Sequence, residues 1–117
     1  VDDAEKAGES MVRTFLRVGP DNWFYKDGVL LEAGIIEHMA QSAAVMVGLQ
    51  CANEKPKEGY IGDIKDLVIY RLPENEEKIT SEISIITQLD NITLIEAVSS
   101  INEEICAKAR LKVFIAE

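Results

Sequence analysis

The stretch AGIIEHMAQSAAVMVGLQCA, residues 33–52, decides the fold, because it is the single long helical pattern in a chain otherwise rich in strand patterns. Its apolar side chains leave almost no solvent face, and a helix that is apolar nearly all round is normally buried. Glu37 and Gln41 are the exceptions, about 40° apart around the helix axis, with Gly34 and Gly48 near the same line. We therefore expect a buried helix with one stripe that lacks bulk and carries a carboxylate.

Five further segments have strand patterns, and the last of them is the clearest. Its apolar side chains alternate with Lys108, Arg110 and Lys112, so that Ile105, Ala107, Ala109, Leu111, Val113 and Ile115 are expected to face inward together. One helix with about five antiparallel strands predicts an α+β fold in which a curved sheet wraps one long central helix. The last four strands are expected to form a meander. The predicted strands cover residues 11–18, 60–72, 79–88, 92–101 and 105–115.

Composition and charge define the class of protein. The chain has 117 residues, 12 Lys plus Arg against 21 Asp plus Glu, and a net charge of −9, which predicts a single acidic domain over residues 1–117. Nucleic acid and anionic membranes are poor partners, because both require clustered basic residues that the sequence lacks. An anionic carrier would need a local basic patch.

The two cysteines, Cys51 and Cys106, have neither a C-x-x-C spacing nor a nearby histidine, so we expect no metal site and no cofactor. They are interpreted as small hydrophobes with reduced thiols, which favours a cytoplasmic protein. The acidic N-terminal stretch VDDAEKAGES is unlike a secretory signal, and no apolar run approaches the roughly 18 residues of a membrane span.

Two motifs carry a resemblance to a known family. The string IIEHMAQSAA at residues 35–44, after an Asn-x-Phe turn and before GYIGDIKDLVIYRLP at residues 59–73, resembles the hotdog-fold β-hydroxyacyl-ACP dehydratases. The resemblance extends over nearly the whole chain. It also suggests that a short native segment precedes Val1.

The resemblance implies a homodimer or pseudo-dimer with acyl tunnels at the subunit interface, and a substrate delivered as a thioester on phosphopantetheine. Glu37 matches the family's catalytic helix Glu, and Gln41 matches its helix Gln. The family's Gly-His-Phe-Pro turn is absent, since the position of its histidine, fourteen residues before Glu37, holds Trp23. The one histidine, His38, lies about 100° from Glu37 around the helix axis and cannot simply replace a turn histidine.

Each candidate residue also has a structural interpretation. Glu37 and Gln41 could form an ordinary polar pair, and His38 is expected to be a packed or interface residue. The aromatic residues of the turn, Trp23, Phe24 and Tyr25, could pack a loop or an interface, or could bind substrate. Tyr60 and Gly62 could simply begin a central strand, or Gly62 could let an acyl chain approach the backbone.

Dehydration of a 3-hydroxyacyl thioester needs a base, an acid and donors that polarise the carbonyl, and the sequence supplies Glu37 and helix N-terminal amides around Gly34. Three functions therefore stay open. The first is a 3-hydroxyacyl-ACP dehydratase of fatty-acid or polyene-type synthesis, and the second is an acyl-thioester hydrolase of the same fold, in which Glu37 alone activates water or attacks the thioester. The third is a non-catalytic partner subunit that pairs with a histidine-bearing homologue.

Overall fold

The computed structural model describes residues 1–8, 11–50 and 59–115. One helix, α1 (Glu32–Gln50), lies between two groups of strands. The helix begins one residue earlier than predicted, and the predicted end at Cys51 and Ala52 lies outside the described residues. The strands are β1 (Asp3–Gly8), β2 (Met11–Arg17), β3 (Tyr25–Lys26), β4 (Val29–Leu30), β5 (Gly59–Ile69), β6 (Lys78–Leu89), β7 (Ile92–Ile101) and β8 (Glu104–Ile115).

Six strands form one antiparallel sheet in the order β1-β2-β6-β7-β8-β5, while β3 and β4 form a separate small hairpin. The expected α+β hotdog architecture is confirmed, with two corrections to the strands. The acidic N-terminal stretch, which has no clear apolar alternation, supplies an additional edge strand, β1. The predicted four-strand meander is wrong, because β5 pairs with β8 at the far edge and only β6, β7 and β8 follow one another.

The hydrophobic core lies between the sheet and one face of α1. Ile35, Met39, Ala43 and Met46 of the helix are buried, together with alternate residues of the strands. Removal of this apolar surface from water stabilises the fold by roughly 25 cal/mol per Å². The core residues of the sheet include Val12, Ile79, Ile83, Ile95, Ala97, Leu111 and Val113.

The helix is not buried on all sides, which corrects the expectation from its composition. Ala33, Glu37, Gln41 and Ala44 are exposed because the sheet covers only the opposite side of α1. Successive members of this set are four, four and three residues apart, each close to one helical turn, so the four residues share one face. We call this set the open helix face.

A bulge in β8 corrects the predicted phase of its first residues. Ser100 pairs with Ile105 and Ser99 with Ala107, so Cys106 is the additional residue on β8. Cys106 and Ala107 are both buried, whereas Ile105 is 50% exposed instead of facing inward.

Within the described ranges, no helix is sufficiently long and apolar to cross a membrane.

Candidate functional site

A cleft of about 240 Å³ opens beside the first half of α1 and brings together most of the sequence-predicted site residues. It lies between the helix, the turn that precedes the β3–β4 hairpin, and the first residues of the chain. The sequence-predicted residues that line it are Glu37, Gln41, Gly34, Trp23 and Phe24. The other lining residues are Val1, Asp2, Leu16, Asp21, Asn22, Leu30 and His38.

Local hydrogen bonds hold the aromatic turn in place. The amide of Asn22 donates to the carbonyl of Gly19, at 3.0 Å, and the amide of Leu31 donates to the carbonyl of Phe24, also at 3.0 Å. The Asn22 side chain closes the turn by accepting a hydrogen bond from the Gly19 amide at 2.6 Å. Trp23 is 88% exposed at the tip, so its indole ring is available to a ligand or to a partner subunit.

Gly34 allows the turn and the hairpin to approach the helix closely. A β-carbon at this position would lie 2.8 Å from Cγ of Leu30 and 3.0 Å from the β-carbon of Phe24. The amide of Gly34 donates to the carbonyl of Leu31 at 2.9 Å. The amide of Gly34 itself therefore already has an acceptor. The expectation that helix N-terminal amides around Gly34 polarise a substrate carbonyl stays a prediction.

Gly62 and Tyr60 lie on β5, away from the helix turn that forms the cleft. The space that a side chain at Gly62 would occupy is filled by the ring of Phe114 on the adjacent strand. This contact favours the packing interpretation of Gly62 over an approach of an acyl chain. The side chain of Tyr60 lies outside the described residues.

The carboxylate of Glu37 is exposed at the mouth of the cleft. The amide nitrogen Nε2 of Gln41 lies 3.4 Å from Oε1 of Glu37, a long and weak hydrogen bond. The amide oxygen of Gln41 accepts a stronger one, at 2.8 Å, from the nitrogen of Val1. Among the described residues, Glu37 thus has one weak side-chain partner, Gln41, and its carboxylate is otherwise exposed.

His38 has the opposite environment. It is 2% exposed, and its Nε2 lies 2.8 Å from Oγ of Ser81, which in turn lies 2.6 Å from Oγ of Ser99. Burial lowers the pKa of His38 to about 4, because the charged imidazolium loses its hydration. The ring is therefore neutral near pH 7, and it packs as the sequence predicts.

A second pair of buried hydroxyls anchors the backbone of the same helical turn. Oγ of Ser42 donates to the carbonyl oxygen of His38 at 2.7 Å and lies 2.7 Å from Oγ1 of Thr14 on β2. Sequence reasoning missed these hydroxyl partners. Ser81 and Ser99 could have been found, because each occupies an inward position of its strand between buried isoleucine or alanine residues.

The site thus combines one exposed carboxylate, one buried neutral imidazole and an aromatic turn. A carboxylate in this position can accept a proton or activate a water molecule. No cluster of His, Cys, Asp and Glu within residues 1–8, 11–50 and 59–115 is arranged to hold a metal ion.

Comparison with known proteins identifies the family. The sequence pattern of the ApeP-like family, described as ApeP dehydratase, matches residues 1–117, and the chain belongs to this dehydratase family. The resemblance to hotdog-fold dehydratases is confirmed. A search of curated proteins finds no significant match.

Solved structures show the same fold at low sequence identity. The dehydratase heterocomplex ApeI:P from Xenorhabdus doucetiae matches with a TM-score of 0.87 and 16% identity, over 97% of this chain and 80% of that chain. A thioesterase from Haemophilus influenzae matches with a TM-score of 0.81 and 18% identity, and the match covers 98% of this chain and 78% of that chain. A hypothetical thioesterase with coenzyme A from Streptococcus pneumoniae matches with a TM-score of 0.79 and 12% identity, and the match covers 97% of this chain and 84% of that chain.

Proposed function

We propose that this protein is one subunit of a 3-hydroxyacyl thioester dehydratase, acting in the cytoplasm in fatty-acid or polyene-type synthesis. The observation that carries the proposal is the position of Glu37, the residue that matches the catalytic helix Glu of the dehydratases, at the mouth of a cleft lined by Gly34, Trp23 and Phe24. Membership of the ApeP-like dehydratase family supports the same reaction.

In this proposal, Glu37 is the catalytic base. Its carboxylate takes the α-proton of the acyl thioester, and the electron pair of that C–H bond forms the double bond as the 3-hydroxyl leaves with a proton as water. The leaving group therefore needs an acid and the carbonyl needs a donor. Since the turn position fourteen residues before Glu37 is Trp23, we assign the acid to a second subunit.

The second subunit is a homologous hotdog chain that carries the Gly-His-Phe-Pro turn. Two surfaces favour such a partner. The open helix face presents small residues beside Glu37. The strand β5 is a sheet edge on which Ile61 and Val68 are each 38% exposed. An edge strand with exposed apolar side chains is a ready site for pairing with another chain. The related ApeI:P structure is itself described as a heterocomplex.

The substrate is an acyl group on a phosphopantetheine thiol, either acyl carrier protein or coenzyme A. A second candidate function is hydrolysis of the same thioesters. It is favoured by the exposure of Glu37, which leaves room for a water molecule beside the carboxylate. Several structures of the same fold are described as thioesterases, and one contains coenzyme A.

A product assay separates the two functions. The chain is purified alone and together with a histidine-bearing hotdog homologue, and each preparation is incubated with 3-hydroxybutyryl-CoA. Formation of the conjugated enoyl thioester by the pair, with little formed by the chain alone, supports the dehydratase. Release of free coenzyme A without enoyl product would replace the dehydratase with the hydrolase.

A further inference from the structure

The imidazole of His38 has one nitrogen that the fold does not use. Nε2 is hydrogen-bonded to Ser81, whereas Nδ1 is buried and has no partner within the described residues. It is the only buried side-chain nitrogen or oxygen in those residues with this property. Burying a polar atom without a partner typically costs about 1–3 kcal/mol, so such an atom calls for a functional explanation.

The hydrogen-bond chain determines which nitrogen carries the proton. Among the described residues, the hydroxyl of Ser99 has a hydrogen bond only with Ser81, and the hydroxyl of Ser81 lies between Ser99 and Nε2 of His38. If Ser99 donates to Ser81 and Ser81 donates to Nε2, both hydroxyl protons have acceptors. In the reverse direction, Nε2 would donate to Ser81 and Ser81 to Ser99, and the hydroxyl proton of Ser99 would have no acceptor among the described residues. The first arrangement places the ring proton on Nδ1.

The neighbouring hydroxyl pair, Thr14 and Ser42, does not change the assignment of the ring proton to Nδ1. Ser42 donates its only hydroxyl proton to the carbonyl of His38, so Thr14 must donate to Ser42. Neither hydroxyl bonds to the imidazole ring. The backbone of the helical turn and the ring are thus held by two separate pairs of hydroxyl groups, and the ring presents a fixed N–H donor.

His38 lines the same cleft as Glu37, and Nδ1 is the ring nitrogen that has no partner among the described residues. The other expected donor, the amide of Gly34, is bonded to Leu31. We propose that Nδ1–H of His38 donates a hydrogen bond to the carbonyl oxygen of the acyl thioester. This inference rests on the proposed function and gives that site its carbonyl-polarising group.

Such a donor would act in dehydration and in hydrolysis alike. Negative charge develops on the thioester oxygen when the α-proton is removed or when water attacks the carbonyl. A preorganised donor at this oxygen typically contributes about 10²–10³-fold in rate. A neutral imidazole suits the role because it donates without giving up its proton. Ser81 and Ser99 are positioning residues, since they act only through Nε2.

Nuclear magnetic resonance can test the donor directly, because the chain has a single histidine and a single tryptophan. In the ¹⁵N-histidine-labelled protein at pH 7, we expect Nδ1 to be protonated and Nε2 to be unprotonated. Crotonyl-CoA is then added until the fluorescence of Trp23, which lines the same cleft, stops changing. At that point the Nδ1–H resonance is expected to have shifted while Nε2 keeps its tautomeric state.

Three results would count against the inference in different ways. A ring protonated at Nε2 in the free protein would overturn the proton assignment. An Nδ1–H resonance that stays unmoved while the Trp23 signal saturates would overturn the contact with the thioester but leave the proposed function standing. No response of Trp23 to crotonyl-CoA would instead count against thioester binding in the cleft, and with it against both proposals.

Two variants of His38 distinguish the contribution of Nδ1 to kcat from that of Nε2. An Asn amide reaches about as far as Nδ1 and a Gln amide about as far as Nε2, so His38→Asn keeps a donor at the position of Nδ1 and His38→Gln keeps the bond to Ser81. We expect His38→Gln to lower kcat by about 10²-fold, with His38→Asn retaining more activity. Ser42→Ala is the matched control, since it removes a buried hydroxyl from the same helix without touching the ring. Equal kcat for His38→Gln and the wild type would overturn the role.

Discussion

Acid should destabilise this protein over a pH range set by His38. The pKa of its imidazole falls from 6.5 to about 4 on folding, because burial penalises the charged ring. Between these two values the unfolded chain binds a proton that the folded chain does not. The free energy of unfolding therefore decreases as the pH falls from about 6.5 toward 4, and the contribution is intact above 6.5.

The magnitude follows from the size of the pKa shift. One pKa unit corresponds to about 1.36 kcal/mol, so the full contribution of His38 is about 3 kcal/mol. The ring is almost completely buried, and solvent screening will reduce this value only slightly. A loss of this size is a large fraction of the roughly 5–15 kcal/mol that stabilises a small domain.

Urea unfolding at pH 7.0, 6.0, 5.0 and 4.0 measures the effect, with His38→Gln as the comparison. The Gln side chain keeps a partner for Ser81 but does not titrate in this range. The wild type should lose about 3 kcal/mol more than His38→Gln between pH 7.0 and 4.0, since other titrating groups contribute similarly to both proteins. Parallel stability curves for the two proteins would refute the assignment of a buried, neutral imidazole.

Two further predictions concern stability. Gly62→Ala should lower the free energy of unfolding by about 1–3 kcal/mol, measured by urea unfolding, because the new methyl group would overlap the ring of Phe114; unchanged stability would contradict the packing of this strand pair. Glu77→Gln should cost about 1 kcal/mol at pH 7, since it removes a partly exposed two-bond ion pair with Arg71 at 2.8 and 2.9 Å. Because that pair lowers the pKa of Glu77 from 4.5 to about 2, the difference between variant and wild type should disappear as the pH falls through this range; a difference that persists at pH 2 would contradict it.

The sequence predicted the helix and the later strands because their residues follow regular periods. Alternation in β8 predicts that Ala109, Leu111 and Val113 face inward, and all three are buried in the structure. It predicted Ile105 wrongly, since a bulge shifts the phase by one residue and alternation alone cannot reveal a bulge. The edge strand β1 was missed because it lacks the apolar alternation that defines a half-buried strand.

The site was predicted in part for similar reasons. Glu37 and Gln41 were found because polar residues are conspicuous on an apolar helix, and the aromatic turn was found by counting back from Glu37. The sequence did not show that Glu37 would be exposed, because the apolar composition of α1 does not distinguish burial against a sheet from an open helix face. It also could not show which nitrogen of His38 is used, since that depends on Ser81 and Ser99 on distant strands.

The central claim is that Glu37 performs the chemistry of a dehydratase with a second subunit. The most direct test is the rate at which the pair formed with a histidine-bearing homologue dehydrates 3-hydroxybutyryl-CoA, compared between the wild type, Glu37→Gln and Glu32→Gln. Glu32 lies in the first turn of the same helix but outside the cleft lining, so it controls for the loss of a helix carboxylate. We predict a loss of about 10²–10⁴-fold for Glu37→Gln and none for Glu32→Gln, with folding and pairing intact in both. Equal dehydration rates for wild type and Glu37→Gln would contradict the account.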